Sequence, residues 1–245
     1  MNEYWEIYMK QLEGAPASVL VNAGLAFEDS EFKATYPIVG FVKVTLKNPK
    51  ESGFIDEKEE TELSFLEDKL EASMIKFRIG KYAGRIITQG SVTFLYYLQF
   101  TYNWQDFLEY ALAEFEDFEI SAGFQDDGEW NFYHNLLYPN VNEWQIINNH
   151  KVCDKLKESG DDLQSPRAIE HRAVFDVSVP KEFMEALQKK GFRLMEQEEK
   201  SVKFYRKDKP FYYDIDAVTL ALISLSKEHG GMYDGWECSI VSREL

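Results

Sequence analysis

Apolar and polar positions follow two different periods along the last third of the chain. Apolar and polar side chains alternate over residues 171–179, which predicts a strand with one buried face. Ser178 and Pro180 then begin a predicted helix that ends at Gly191. Two short strands are predicted next, over 192–196 and 201–206. A second helix follows, capped by Asp214 or Asp216 and ended by Gly230-Gly231, and the last predicted strand is 236–240. This βαββαβ order predicts a ferredoxin-like α+β sandwich.

A compact turn is predicted where the second of these helices returns to the sheet. It reads Tyr233-Asp234-Gly235-Trp236. Gly235 permits a positive φ, Asp234 can bond to its own backbone two residues on, and Trp236 anchors the last strand. The motif is therefore interpreted first as structural. The alternative is that Tyr233 or Trp236 is an exposed anchor for a partner protein, since these residue types dominate binding hot spots.

Shorter and less regular patterns in the first half predict a mixed α+β domain. An amphipathic helix is predicted over residues 57–76 and a second helix over 104–115. A hairpin turned at Gln89-Gly90 is predicted to join strands 77–88 and 92–100. Further strands are predicted at 5–9, 18–22, 37–46 and 118–124. The strand order is left open.

The length of 245 residues is comfortable for two domains. A Gly-, Ser-, Asp- and Pro-containing stretch, ESGDDLQSPR, has the composition of a linker. The predicted division is therefore a first domain over 1–157, a linker over 158–167 and a second domain over 168–245. A further helix is predicted over 142–157, before the linker.

Negative charge is concentrated in the first half. The formal net charge is −16, and residues 1–150 carry 25 acidic against 11 basic side chains. Such a field repels phosphates, so direct binding of nucleic acid is not expected, whereas a basic protein partner is favoured. Ordinary solubility charge is the alternative explanation.

Signals for catalysis, cofactors and export are absent from the sequence. The two cysteines, Cys153 and Cys238, are too few for a disulfide framework and lack zinc-site spacing. Phosphate-binding, dinucleotide-binding, nucleophile-elbow and zinc-protease motifs do not occur. We therefore assign no catalytic residue, no metal and no cofactor. No apolar run is long enough for a membrane span, and a cytoplasmic location is expected.

Two further sets of polar residues are candidates for sites. His171 and the Asp214 and Asp216 cap lie near the Tyr233–Trp236 turn in the predicted fold, so all of these are candidates for partner binding. Asp126, Glu129 and His134 lie in the aromatic-rich stretch of the first half, where they could line a ligand pocket. A solvated acidic turn is the alternative for Asp126 and Glu129.

The second half resembles the bacterial regulators of ribonuclease E activity, type B. The resemblance covers roughly residues 168–242 and is carried by EHRAVFDV, DAVTLALISLSKEHGG and YDGWECSIV. It implies the same βαββαβ sandwich, and a protein without chemistry of its own that inhibits an RNA-degrading endonuclease by binding its scaffold.

The first half is similar to a bacterial family named domain of unknown function 695. The stretches that carry this similarity are DEKEETELSFLEDKLEA, GRIITQG and DFEISAGFQDDGEWNFYHNLLYPN. Three hypotheses follow from the sequence. The favoured one is a protein-binding regulator that holds a basic scaffold segment of an endoribonuclease. The second is a ligand-binding or enzymatic role in the acidic, aromatic-rich first domain. The third is a two-domain protein whose regulator module has lost its ancestral partner.

Overall fold

A computed structural model describes residues 4–241 of the chain. The chain forms two compact units that divide between Pro139 and Asn140. The division therefore falls before the predicted linker over 158–167. The first three and last four residues of the predicted domain ranges lie outside the described residues. The helix predicted over 142–157 belongs to the second unit, because it packs there against another helix.

The first unit is built on a six-stranded antiparallel sheet with the order β1-β2-β4-β5-β3-β6. Its strands are β1 (Trp5–Leu12), β2 (Ala15–Asn22), β3 (Ile38–Thr45), β4 (Gly80–Thr88), β5 (Ser91–Leu98) and β6 (Ile120–Asp126). Its helices are α1 (Ser30–Thr35), α2 (Glu57–Phe77) and α3 (Trp104–Leu112), with a 3-10 turn at Ala23–Phe27 and a π-helical turn at Tyr133–Leu137. The mixed α+β class is confirmed, and so is the hairpin turned at Gln89-Gly90, which joins β4 to β5.

Helices α2 and α3 cover one face of this sheet. The predicted stripe of α2, Leu63, Leu66, Leu70 and Met74, is buried in a common core with alternate residues of β3 and β5. Asp56 is the N-cap of α2, and its carboxylate accepts the amide N–H of Lys58. The buried carboxylate of Glu59 accepts the amides of Lys47 and Asn48, which ties the loop after β3 to the helix.

The opposite face of the sheet is partly covered by the aromatic-rich segment. Trp130 and Tyr133 are fully buried there, and the ring of Trp130 stacks on Tyr97 of β5 with centroids 3.8 Å apart. The Tyr133 hydroxyl donates to the carbonyl of Asn22 at 2.8 Å. Tyr97, Trp130 and Tyr133 therefore form a second core layer on this face, whereas Phe94, Tyr96, Trp104 and Phe107 of the same aromatic stretch belong to the core under α2 and α3.

The second unit has the predicted βαββαβ order, preceded by one further helix. Its elements are α4 (Val141–Glu158), β7 (Arg167–Phe175), α5 (Lys181–Lys189), β8 (Arg193–Gln197), β9 (Ser201–Asp208), α6 (Tyr212–Glu228) and β10 (Gly231–Cys238). The antiparallel sheet has the order β10-β7-β9-β8. Phe183 of α5 and Leu222 of α6 pack in one core with Ala173 and Phe204 of the sheet, so both helices cover the same face.

Helix α6 begins earlier than predicted. Its cap is Phe211 rather than Asp214 or Asp216, and no side chain among the described residues makes the cap hydrogen bond. Asp214 lies in the first turn, where a carboxylate is stabilised by the helix dipole. Asp216 lies inside the helix and is buried. The prediction of an aspartate cap was wrong because the spacing of apolar residues does not locate the first turn.

The Tyr233–Trp236 motif is a bulge within β10 rather than a turn before it. Tyr233 pairs with Ala173 and Trp236 with His171, and the register shifts between Tyr233 and Gly235. Gly235 has a φ of 116°, which a glycine adopts without strain. The partners of Tyr233 and Trp236 on β7, Ala173 and His171, are two residues apart and therefore point to the same face of the sheet. Because of the extra residue in the bulge, Tyr233 and Trp236 also share that face, which the helices cover.

The predicted linker is tied into the second unit by a buried ion pair. The two terminal guanidinium nitrogens of Arg167, Nη1 and Nη2, each donate to one carboxylate oxygen of Asp161 at 2.6 Å. Arg167 also donates to the carbonyl of Ser239, and the amide of Val241 donates to Asp161. Asp161 and Arg167 therefore hold residues 239–241, which follow β10.

Candidate functional site

Asn149 of α4 is the centre of a buried polar network in the second unit. Its amide nitrogen donates to Asp216 Oδ1 and to Thr219 Oγ1, both at 2.8 Å. Its amide oxygen accepts the indole N–H of Trp236 at 2.7 Å. Asn149 therefore joins α4, α6 and β10. Each partner is a group that would be costly to bury unpaired.

His150 extends this network to the surface. Its Nε2 lies 2.9 Å from Asp216 Oδ2, so both oxygens of Asp216 are engaged. The imidazole ring packs edge-on against Tyr212, whose hydroxyl donates to Asp154 at 2.6 Å. A second layer of contacts thus holds the N-terminal end of α6 against α4.

An exposed aromatic and acidic surface lies at this end of α6. We call it the α6 patch and define it as Asp154, Tyr212, Tyr213 and Asp214. Tyr213 is 78% exposed, and Asp214 next to it is exposed as well. An exposed tyrosine beside carboxylates, on a scaffold held by the Asn149 network, has the chemistry to bind a cationic chain.

His171 and Tyr233 meet inside the second unit. His171 Nδ1 lies 2.8 Å from the Tyr233 hydroxyl, and the imidazole stacks on Phe204. His171 is only 1% exposed, and Tyr233 is buried. Neither side chain is available as a direct contact for a partner in this structure, because the alternation of β7 and the bulge of β10 turn both toward the helices.

Burial lowers the pKa of His171 to about 4, from an ordinary value of 6.5. The folded state therefore binds fewer protons than the unfolded state below pH 6.5, and stability falls as the pH drops from 6.5 to about 4. We expect a loss of up to about 3 kcal/mol over that window. The measurement is the unfolding free energy of the second unit, in the unaltered chain and in His171→Gln, between pH 7 and 4. If the two slopes agree, this prediction is wrong.

The remaining candidates for partner binding in the second unit lie on different sides of its sheet. Asp234 lies on the exposed face of the sheet, where Arg172 donates to it at 3.1 Å. Asp216 and Trp236 are brought together by Asn149. The structure thus separates the predicted set into a buried framework, the exposed Asp234 with the half-buried Gly235 beside it, and Asp214 in the α6 patch.

Sequence reasoning missed Asn149, His150 and Tyr213. Asn149 and His150 belong to a helix that was assigned to the other domain, so no contact with Asp216 was expected. The signal in the sequence was the presence of Asn149 and His150 in the middle of a predicted amphipathic helix. A polar side chain buried there needs hydrogen-bond partners, which would indicate a contact with another element.

The acidic turn of the first unit is organised around Asp127. Its carboxylate accepts the Tyr97 hydroxyl at 2.5 Å and the amides of Asn131 and Phe132. The predicted ligand residues beside it, Asp126, Glu129 and His134, are exposed. Two concavities of about 390 Å³ each open on this unit, and neither is lined by any of those three. The predicted pocket residues therefore do not converge there.

The two cysteines are unsuited to nucleophilic chemistry. Burial raises the pKa of the Cys153 thiol to about 12, and the thiol donates to the carbonyl of Pro210. Burial also raises the pKa of Cys238. Both are therefore held as thiols at neutral pH. Within residues 4–241, no group of three or more His, Cys, Asp or Glu side chains is arranged to hold a metal ion.

Comparison with family models assigns the first unit. Residues 3–138, more than half of the chain, match the model described as Family of unknown function (DUF695). The chain belongs to this family. The six-stranded sheet with α2, α3 and the Trp130 segment is thus its DUF695 unit, and the resemblance seen in the sequence is confirmed.

The second unit is similar to a different family. Residues 146–238 match the model described as Regulator of ribonuclease activity B. The match covers the Asn149 network, β7 to β10 and both helices on the sheet, and it confirms the second resemblance. A search of curated proteins finds no match to the chain. Among residues 4–241, no helix combines the length and apolar character needed to cross a membrane.

Proposed function

We propose that this DUF695 protein is a non-catalytic regulator that binds a basic segment of an RNA-degrading endonuclease through its second unit. The observation that supports it most directly is the similarity of residues 146–238 to Regulator of ribonuclease activity B. The α6 patch is the surface we assign to the contact. Asp214 is the one predicted partner-binding residue that lies within it.

The α6 patch offers two kinds of interaction to a cationic chain. Tyr213 presents a large aromatic ring at low conformational cost, and it can stack against a guanidinium group. Asp214 of α6 supplies negative charge next to Tyr213, and Asp154 of α4 supplies it beside Tyr212, whose hydroxyl donates to it. The net charge of −16, most of which lies in the first half of the chain, favours the encounter of the whole protein with a basic partner.

The buried network gives this surface a fixed shape. Asn149 and His150 hold Asp216, and Asp216 lies one turn along α6 from Tyr212 and Tyr213. Because the network is formed before binding, less conformational entropy is lost when a partner docks. Trp236, His171 and Tyr233 contribute in the same way, as supports of the fold.

Binding of an Arg-rich peptide tests the proposal. We expect Tyr213→Ala to weaken the peptide about tenfold, as for an aromatic hot spot. We expect Asp214→Asn to weaken it about threefold and to flatten its salt dependence. The measurement is a fluorescence titration of the labelled peptide at 50 and 300 mM salt. Affinity should be much higher at the lower salt concentration.

Two matched substitutions on the first unit serve as controls. Tyr102 is 75% exposed, and Asp117 is exposed. Tyr102→Ala and Asp117→Asn remove the same chemical groups from another surface and should leave the affinity unchanged. Equal losses in the control and test variants would refute the α6 patch. Binding that is absent, or that is insensitive to salt, would refute the electrostatic recognition of a basic segment.

A further inference from the structure

A trough opens on the face of the first unit's sheet that lies opposite α2 and α3. Its volume is about 390 Å³. Strands β3, β4 and β5 form the floor, and the segment around the π-helical turn forms one wall. A volume in this range suits a small molecule rather than a protein surface.

One end of the trough is apolar. Val39, Ile86 and Leu95 form its floor, and Phe132 and Leu136 rise beside them. Phe132 is 40% exposed, whereas the floor residues Val39, Ile86 and Leu95 are buried. An apolar ligand would cover this ring and remove its surface from water.

A glycine makes room for an aromatic side chain at the edge of the floor. A Cβ atom added to Gly123 of β6 would lie 2.9 Å from Cζ of Phe41. The absence of a side chain there lets the Phe41 ring lie across β6, which pairs with β3 at this position. The Phe41 ring therefore lines one side of the trough.

The other end of the trough is polar and carries a single cation. Lys43 lies two residues beyond Phe41 on β3, so the two side chains share a face, and its cross-strand neighbour on β5 is Thr93. Lys43 makes no salt bridge or side-chain hydrogen bond with any residue of the described range 4–241. Lys43 and the hydroxyl of Thr93 are therefore available to an anionic group.

The wall of the trough is held rigidly. Asp127 accepts the amides of Asn131 and Phe132, and its other contact is the Tyr97 hydroxyl. Trp130 has a φ of 56°, an uncommon conformation for a bulky side chain, and its indole donates to the carbonyl of Tyr36 at 3.0 Å. Strained backbone fixed by buried partners is typical of sites that must hold one shape.

We propose that the trough binds a medium-chain aliphatic carboxylate. The chain would lie over Ile86 and Leu95 against Phe132, and the carboxylate would meet Lys43 and Thr93. A free carboxylate, rather than a membrane lipid, is the proposed ligand because the trough has a limited volume with a wall, which suits a single small molecule. This ligand site is separate from the α6 patch, so either proposal can fail alone.

Among the residues that line the trough, only Glu13 carries a negative charge that opposes an anion at short range. Residues 1–150 carry 25 acidic and 11 basic side chains. At physiological salt, fields from exposed charges are screened beyond about 8 Å. Glu13 is the carboxylate residue that lines the trough, and it lies at the β1–β2 turn. Direct contact with Lys43 therefore decides the recognition of the head group.

Octanoate and 1-octanol are a matched pair of probes, with the same chain and different charge. We expect octanoate to shift backbone amide resonances of Phe41, Lys43, Thr93 and Leu95 in the full chain. Lys43→Met keeps an unbranched side chain one atom shorter and removes its charge. It should weaken octanoate about fivefold and leave 1-octanol unchanged. Phe132→Ala should weaken both.

Lys58→Met is the control, because Lys58 is an exposed lysine of the same unit on α2. It should bind both probes as the unaltered chain does. The proposal is overturned if octanoate binds Lys43→Met as tightly as the unaltered chain, or if the resonance shifts lie outside the trough. It is also overturned if octanoate does not bind at millimolar concentration.

Discussion

Asp161→Asn is expected to destabilise the second unit by about 3–5 kcal/mol, as measured for breaking buried ion pairs. The substitution keeps the size of the side chain and removes its charge. Arg167 would then remain almost fully buried without a counter-charge. The amides of Leu163 and Val241 would also lose a charged acceptor.

Hydrogen exchange of the β7 amides measures this loss in the second unit alone, which matters because two-unit chains need not unfold in one step. Asp176→Asn is the matched control, since Asp176 is exposed in the same unit. It should change stability by less than about 0.5 kcal/mol. If Asp161→Asn and Asp176→Asn behave alike, the ion pair contributes little.

The same ion pair predicts a change of stability in acid. The hydrogen bonds from Arg167 lower the pKa of Asp161 to about 2, from an ordinary value of 3.8. A lowered carboxyl pKa adds stability above the unfolded value, and this is lost as the pH falls from about 4 to about 2. Asp161→Asn should remove that part of the acid dependence.

Trp130→Ala is expected to destabilise the first unit by about 3–5 kcal/mol, as for other buried Trp or Phe residues. Trp130 is completely buried, stacks on Tyr97 and also packs near Tyr133. Its indole N–H donates to two backbone carbonyls, those of Lys33 and Tyr36. Alanine would leave a large cavity and two carbonyls without this donor.

Hydrogen exchange of the β5 amides checks the effect of Trp130→Ala. Phe27→Ala is the control in the same unit, because Phe27 is 79% exposed, and it should be nearly neutral. Trp130→Phe should fall between them, since it retains the stacking on Tyr97 but not the N–H donor. A neutral Trp130→Ala would show that the segment around the π-helical turn is not needed for the second core layer.

Local patterns in the sequence predicted most of the elements. The period-2 alternation of β7, the helical stripe of α2 and the Gln89-Gly90 hairpin each depend on residues close together in the chain, and each is confirmed. The two resemblances were also carried by local motifs. They are confirmed by matches over residues 3–138 and 146–238.

Tertiary structure decided where the functional groups lie. The sequence by itself determined the α+β class and most of the strands and helices, because the periodicity of apolar residues in each element depends on residues close together in the chain. It did not determine that Asn149 meets Asp216 and Trp236, or that Asp127 rather than Asp126 turns inward, since these contacts join residues distant in the chain or depend on one turn's backbone. Burial, and with it the division into framework and exposed surface, is a property of the packed chain.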